Sequence, residues 1–200
     1  MNNQSSISGR GKLFTILIAI VVALCTWFFG FRPFVVNGSS MYPTFNMSDN
    51  QSSFLITGDY LIVDLFSYTF LSDPKRFDVV VSVSSDDPGK HLLKRIIGLP
   101  NETVRLSGDS VRIMTANGET KTLYEPYINQ QVSLHYRNQT TRLGDGQYFV
   151  LGDNRANSLD SRTWGALDQE NIVGRALVRL YPFDQIDVHP GSVADVHKQY

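Results

Sequence analysis

A serine hydroxyl attacks a carbonyl only when a nearby base takes its proton, and a lysine serves as that base only when its surroundings strip it of charge. The chain holds both residue types in unusual settings. In Asn37-Gly38-Ser39-Ser40-Met41-Tyr42-Pro43-Thr44, two serines sit on a short stretch braced by glycine and proline. Such a loop can aim a hydroxyl while its backbone N–H groups serve as oxyanion donors, although the same composition also makes an ordinary Ser/Pro turn. In His91-Leu92-Leu93-Lys94-Arg95-Ile96-Ile97-Gly98-Leu99-Pro100, two cations interrupt an apolar run. If the run is a strand, Lys94 or its neighbour must point inward. A lysine in water has a pKa of about 10.4, so roughly one in a few thousand is neutral at pH 7, and desolvation lowers that value. An inward Lys94 is then fit to act as a general base; with both cations solvated, the run is a strand edge. The third stretch, Gly152-Asp153-Asn154-Arg155-Ala156-Asn157-Ser158-Leu159-Asp160-Ser161-Arg162, follows the apolar run Gln147 to Leu151. Small polar residues mixed with opposite charges suit a buried, hydrogen-bonded loop, in which a hydroxyl such as Ser158 can orient a lysine amine. A solvated loop is the alternative.

Other chemistries find little support. The four histidines, at 91, 135, 189 and 197, lack metal-ligand spacing, so neither a metal nor a cofactor is expected. There is no Gly-x-Ser-x-Gly elbow and no glycine-rich phosphate loop. Lys and Arg number 18 against 19 Asp and Glu, scattered along the chain, which argues against a nucleic-acid partner. The single cysteine, Cys25, lies in the most apolar stretch and reads as a small hydrophobe.

Several elements must position these residues. Leu13 to Phe31 carries no charge, and about 19 residues at 1.5 Å each span a bilayer core of roughly 30 Å, which predicts a transmembrane helix. Arg10 and Lys12 precede it, so the positive-inside rule puts residues 1–12 in the cytoplasm and the chain after Arg32 outside. Trp27, Phe28, Phe29 and Phe31 form an aromatic belt where a cleavable leader would carry small residues. Beyond Arg32, short β-type runs predict a mostly antiparallel β domain. They are Phe34 to Val36, Tyr60 to Val63, Asp78 to Val83, His91 to Ile97, Thr103 to Leu106, Val111 to Met114, Gln147 to Leu151 and Ile172 to Leu180. Ser107-Gly108-Asp109 and Asn117-Gly118 read as hairpin turns. The turn-rich segment 101–146 reads as a small β subdomain inserted between the two parts of a core, 32–100 and 147–190. Residues 191–200 read as a tail.

In this order and behind an apolar helix, the three stretches together resemble the bacterial type I signal peptidases. In that family the nucleophile is the serine before methionine in a Ser-Met-x-Pro-Thr box, which corresponds to Ser40, with Ser39 as its neighbour. The general base is the lysine of a Lys-Arg-x-x-Gly box, which corresponds to Lys94, followed by Arg95. The Gly-Asp-Asn-x-x-x-Ser-x-Asp-Ser-Arg box matches Gly152 through Arg162, with Ser158 as the hydroxyl that holds the lysine and Asp153, Asp160 and Arg162 as its supports. Weaker echoes include Arg76-Phe77-Asp78, Glu125-Pro126-Tyr127 and Gly174-Arg175-Ala176.

The resemblance implies a signal-peptidase-type β catalytic core with an inserted small β subdomain and one N-terminal membrane anchor. It implies cleavage of signal peptides from exported preproteins after small residues at −3 and −1, through an acyl-enzyme. Phe34, Val36, Met41, Phe45, Leu92 and Leu93 would line the pockets. Some relatives carry an oxyanion-donating serine where this chain has Gly38, a contact that can contribute about 3 kcal/mol. The implied partners are preprotein signal peptides, the bilayer of the cytoplasmic membrane and the secretion translocon. Two departures stand out: Phe45 to Thr57 carries an insertion, and Asn101-Glu102 replaces the usual Gly-Asp. A non-catalytic assembly chaperone for exported or pilus subunits on the same fold is the alternative, and the intact Ser40, Lys94 and Ser158 speak against it. A self-cleaving repressor would carry a DNA-binding domain in place of the apolar helix.

Overall fold

Runs of valine, isoleucine and aromatic residues between glycine and asparagine turns form strands that pair antiparallel into two sheets. The computed structural model describes residues 9–28, 30–46, 58–84, 87, 89–128 and 136–193. The readings made on Phe29, His135 and His197, on most of the insertion and on the end of the tail lie outside the described residues, as do the side chains of Cys25, Trp27 and Phe28.

After helix α1 (Gly9–Phe28) come β1 (Phe31–Val36), β2 (Asp59–Asp64), the short helix α2 (Phe66–Phe70), β3 (Val79–Val83) and β4 (His91–Gly98). Next are β5 (Thr103–Gly108), β6 (Ser110–Met114), β7 (Thr120–Thr122) and β8 (Tyr136–Arg142). The chain continues through β9 (Gln147–Leu151), α3 (Ser161–Trp164), β10 (Leu167–Asp168), β11 (Ile172–Tyr181) and β12 (Asp187–Val188). The larger sheet runs β1-β2-β11-β3-β4-β9-β10, with β12 also paired to β11, and the smaller runs β7-β6-β5-β8. All four strands of the smaller sheet fall between Thr103 and Arg142, so the chain leaves the larger sheet after β4 and returns as β9, the neighbour of β4.

Period-two alternation decides where each side chain goes. Along β9, Tyr148 and Val150 join Val80, Ile96 and Leu167 in one cluster. Phe149 and Leu151 turn the other way and pack with Ile97 against Val104, Leu106, Val111 and Ile113 of the smaller sheet. A third cluster, with Val36, Met41, Phe45, Leu61, Val63, Val79 and Val81, lies where β1, β2 and β3 converge. Each such side chain contributes about 1.5–3 kcal/mol by leaving water.

Four features of the structure bear on the sequence reading. First, among the described residues no helix is long and apolar enough to cross a membrane. The first turn of α1 is Gly9-Arg10-Gly11-Lys12, so its described apolar part runs only from Leu13 to Phe28, against the roughly 20 residues of a full span. Second, β7, β8, β10 and β12 were not expected. Strand β8 is polar and sits at the edge of its sheet with most side chains in water, so it carries no hydrophobic alternation, and β10 and β12 have two residues each. Third, the tail does not begin at 191: Gly191 O accepts from Arg95 Nη1 at 2.6 Å, and Val193 packs on the core between the sheets. Fourth, Asn101-Glu102 makes a closed turn. Asn101 takes the left-handed φ of 67° that asparagine tolerates, while Glu102 accepts from Leu99 N at 2.8 Å and pairs with Arg76 at 2.6 Å.

Candidate active site

Strand β4 delivers two cations in succession and buries both. Lys94 is 2 % exposed and Arg95 fully enclosed, and as neighbours in a strand they leave it on opposite sides. Arg95 meets Asp153 in a two-point pair, Nε to Oδ1 at 2.8 Å and Nη2 to Oδ2 at 2.6 Å, and its Nη1 also donates to Phe77 O at 3.0 Å. Burial opposes the guanidinium charge and the Asp153 carboxylate more than restores it. Lys94 has no such partner. Its Nζ donates to Ser40 Oγ at 2.8 Å and to its own neighbour's carbonyl, Leu93 O, at 2.9 Å. Burial lowers its pKa from 10.5 to about 8, against the opposing pull of Asp160 and Asp153 and with help from Lys90 and Arg162. At pH 7 about one amine in ten is then neutral, several hundred times the fraction in water.

Ser40 sits on a turn that leaves β1, with Tyr42 N donating to Ser39 O at 3.1 Å and Phe45 N to Met41 O at 2.9 Å. The buried Met41 and Phe45 anchor that turn in the core. The Gly152–Arg162 loop holds it from the other side. Asn154 N donates to Ser40 O at 3.0 Å, Asn154 Nδ2 to Ser39 O at 3.0 Å and Asn157 Nδ2 to Ser39 Oγ at 2.7 Å. Asp160 organises the loop by accepting from Gly152 N at 3.0 Å and from Arg162 Nε at 2.7 Å, and it caps α3. Arg162 also reaches Ser158 O at 3.2 Å. Gly152 is packed so closely that a Cβ there would lie 2.2 Å from Ser158 Oγ and 2.4 Å from Ser40 O. Gly38 has φ 94° with open space where a side chain would be.

The bond expected between Ser158 and Lys94 is not formed. Ser158 Oγ is shielded from water and has no hydrogen-bond partner among the described residues, while the second acceptor of Nζ is Leu93 O. The residues expected to form the pockets divide. A cavity of about 120 Å³ opens beside Ser40 and Lys94, walled by Phe34, Val36, Leu92 and Leu93 together with Leu61 and Val81. Met41 and Phe45 are instead enclosed in the core cluster behind that wall, and the Arg179 guanidinium lies 5.6 Å from the Phe45 ring centre. Leu61 and Val81 were not expected in the pocket because they come from β2 and β3, outside the boxes around Ser40 and Lys94. A larger cleft of about 790 Å³ lies between residues 73–79, Arg175 and His189. Neither Ser40 nor Lys94 lines it, so size does not mark the site.

An amine with a lowered pKa, within a hydrogen bond of a hydroxyl and beside an apolar cavity, can generate an alkoxide-like nucleophile at neutral pH. A family described as "Signal peptidase, peptidase S26" matches residues 10–181. The chain belongs to that family. A probable signal peptidase I-1 of Synechocystis is 37% identical over 174 residues, covering 84% of this chain and 80% of that protein. A signal peptidase I of Bacillus licheniformis is 32% identical over 199 residues, covering 93% and 98%. The signal peptidase I T of Bacillus subtilis is 35% identical over 180 residues, covering 86% and 84%. Cleavage of signal peptides by a serine endopeptidase follows from that membership.

Proposed function

We propose that this peptidase uses Ser40 as its nucleophile and Lys94 as its general base, on signal peptides presented at the outer face of the cytoplasmic membrane. One observation carries the reading: Lys94 Nζ is 2.8 Å from Ser40 Oγ. The neutral amine takes the Ser40 proton as Oγ bonds to the scissile carbonyl carbon, with the Ser40 backbone N–H as oxyanion donor. The carbon–nitrogen bond breaks as the Lys94 ammonium protonates the leaving amine. The neutral amine then deprotonates a water, which releases the signal peptide from Ser40. Ser158 joins by turning its free hydroxyl to the amine once substrate is bound, since catalytic hydrogen bonds often tighten only in the complex.

A cavity of about 120 Å³ has room for an alanine-like side chain, and its apolar wall of Phe34, Val36, Leu92 and Leu93 favours small residues at −1 and −3. The anchor is the apolar segment 13–31, with residues 1–12 inside. The exposed Leu13, Phe14, Ile16, Leu17 and Ile20 of α1 support a lipid environment for it. Residues 101–146 form the inserted subdomain, and the translocon would deliver the precursor. The test is to incubate the detergent-solubilised chain with a model precursor and sequence the product's new N-terminus. Ser40→Ala and Lys94→Ala should each abolish cleavage while leaving the fold intact. Retained processing by either variant removes the dyad assignment.

A further inference from the structure

Glu125 lies in the connection between β7 and β8, outside the turn that carries Ser40 and the strand that carries Lys94, and its carboxylate has two partners. It accepts from both ends of the Arg155 guanidinium, with Nη1 to Oε2 at 3.1 Å, and from the Tyr127 hydroxyl at 2.6 Å. The side chains of Arg155 and Glu125 are 1% and 9% exposed, so the pair is shielded from water and salt. From here two arms lead to the two halves of the dyad. In the first, Arg155 Nε donates to Gly152 O at 3.0 Å, and Gly152 abuts Ser40 O. Asn154, just before Arg155, and Asn157, two residues after it, hold Ser39 and Ser40. In the second, the Tyr127 ring lies 3.9 Å from the guanidinium carbon of Arg95, the residue after Lys94. Burial, then the Glu125 carboxylate, pushes the Tyr127 phenol well up, so it stays a donor to Glu125.

We propose that Glu125 is a positioning residue for the Ser40–Lys94 dyad: its one carboxylate braces, through Arg155 and Tyr127, both the loop behind Ser40 and the strand that carries Lys94. This rests on the peptidase reading above. The smaller sheet then does more than cover the core, because it sets how closely the nucleophile loop closes over Lys94. Loosening either arm admits water to the amine. The charged groups facing Lys94, which are Asp160, Asp153, Lys90 and Arg162, are the same residues in every variant, and the largest influence on the amine, its burial, is the one that weakens.

The experiment compares Glu125→Gln, Arg155→Lys and Tyr127→Phe with the unaltered chain and with a control, Glu119→Gln. The control removes an exposed ion pair to Lys121 in the same sheet. Full-length protein in detergent is assayed for single-turnover cleavage of a precursor peptide between pH 6 and 10, and its melting temperature is recorded. Tyr127→Phe deletes one hydroxyl and keeps the buried ion pair, so it stays folded even if Glu125→Gln, which breaks that pair, unfolds. The expected result is a rising limb displaced from about 8 towards 10.5, with a maximal rate about tenfold lower and KM changed less than twofold, and no displacement in the control. Folded variants that lose rate with an unmoved midpoint would show a merely structural role and overturn the proposal alone. An unaltered chain that does not cleave would remove the peptidase reading, and the proposal with it.

Discussion

Lys94 Nζ and Ser40 Oγ lie 2.8 Å apart although 54 residues separate them in the chain. That contact joins a buried amine, whose desolvation costs stability, to a hydroxyl; with the roles proposed above for the two groups, the predictions below follow from it.

Cleavage should rise with pH along the titration of one group with a midpoint of about 8, the value to which burial brings Lys94. The limb rises because the neutral amine is the active form. Single-turnover rates on a signal peptide across pH 6 to 10 measure it. A flat profile over that range, or a midpoint near 6.5 belonging to a histidine, would rule out Lys94 as the base.

Lys94→Met should be inactive and more stable. The folded pKa of Lys94 lies below the unfolded 10.5, so protonation favours the unfolded chain. The penalty is fully present below about pH 8 and fades as pH rises through 10.5, and its size is about 3 kcal/mol. Melting temperature at pH 7 should increase by several degrees, and the gain should shrink steadily above pH 8. An equal gain at pH 7 and pH 10 would contradict the linkage.

Gly152→Ala should disable the enzyme without unfolding it. The new methyl would sit 2.4 Å from Ser40 O, so either the nucleophile turn or the Gly152 loop must move. A displacement near 1 Å at a reacting group costs on the order of a hundredfold in rate. Circular dichroism should stay native while cleavage falls by about that factor; rates within twofold of the unaltered enzyme would show that the packing relaxes elsewhere.

Ser158→Ala separates stability from catalysis. A shielded hydroxyl without a partner costs about 1–3 kcal/mol, so deleting it should leave the melting temperature unchanged or higher. If the hydroxyl turns to Lys94 during turnover, the maximal rate should still fall about tenfold or more. A lower melting temperature with unchanged rate would show that Ser158 acts as a packing residue instead.

The candidate residues stood out because they are residue types in unlikely surroundings, although each stretch taken alone also suits a turn, a strand edge or a solvated loop. A lysine inside His91-Leu92-Leu93-Lys94-Arg95-Ile96-Ile97 and a glycine-braced serine pair are visible in one dimension, as are the β alternation and hairpin turns of a mostly antiparallel domain. Strand β8 was not legible, because an edge strand facing water needs no apolar pattern, and neither were the two-residue strands, which are defined by their partners alone.

By itself the sequence determined which residues could act and that a β scaffold would hold them, since local propensity and alternation are written residue by residue. Only the tertiary structure decided that Lys94 and Arg95 are both buried, one against a hydroxyl and the other against a carboxylate. It also decided that Met41 and Phe45 belong to the core behind the cavity, and that Glu125, between β7 and β8, reaches the loop behind Ser40. These are contacts between segments far apart in the chain, and their energies depend on burial and distance, which exist only once the sheets have packed.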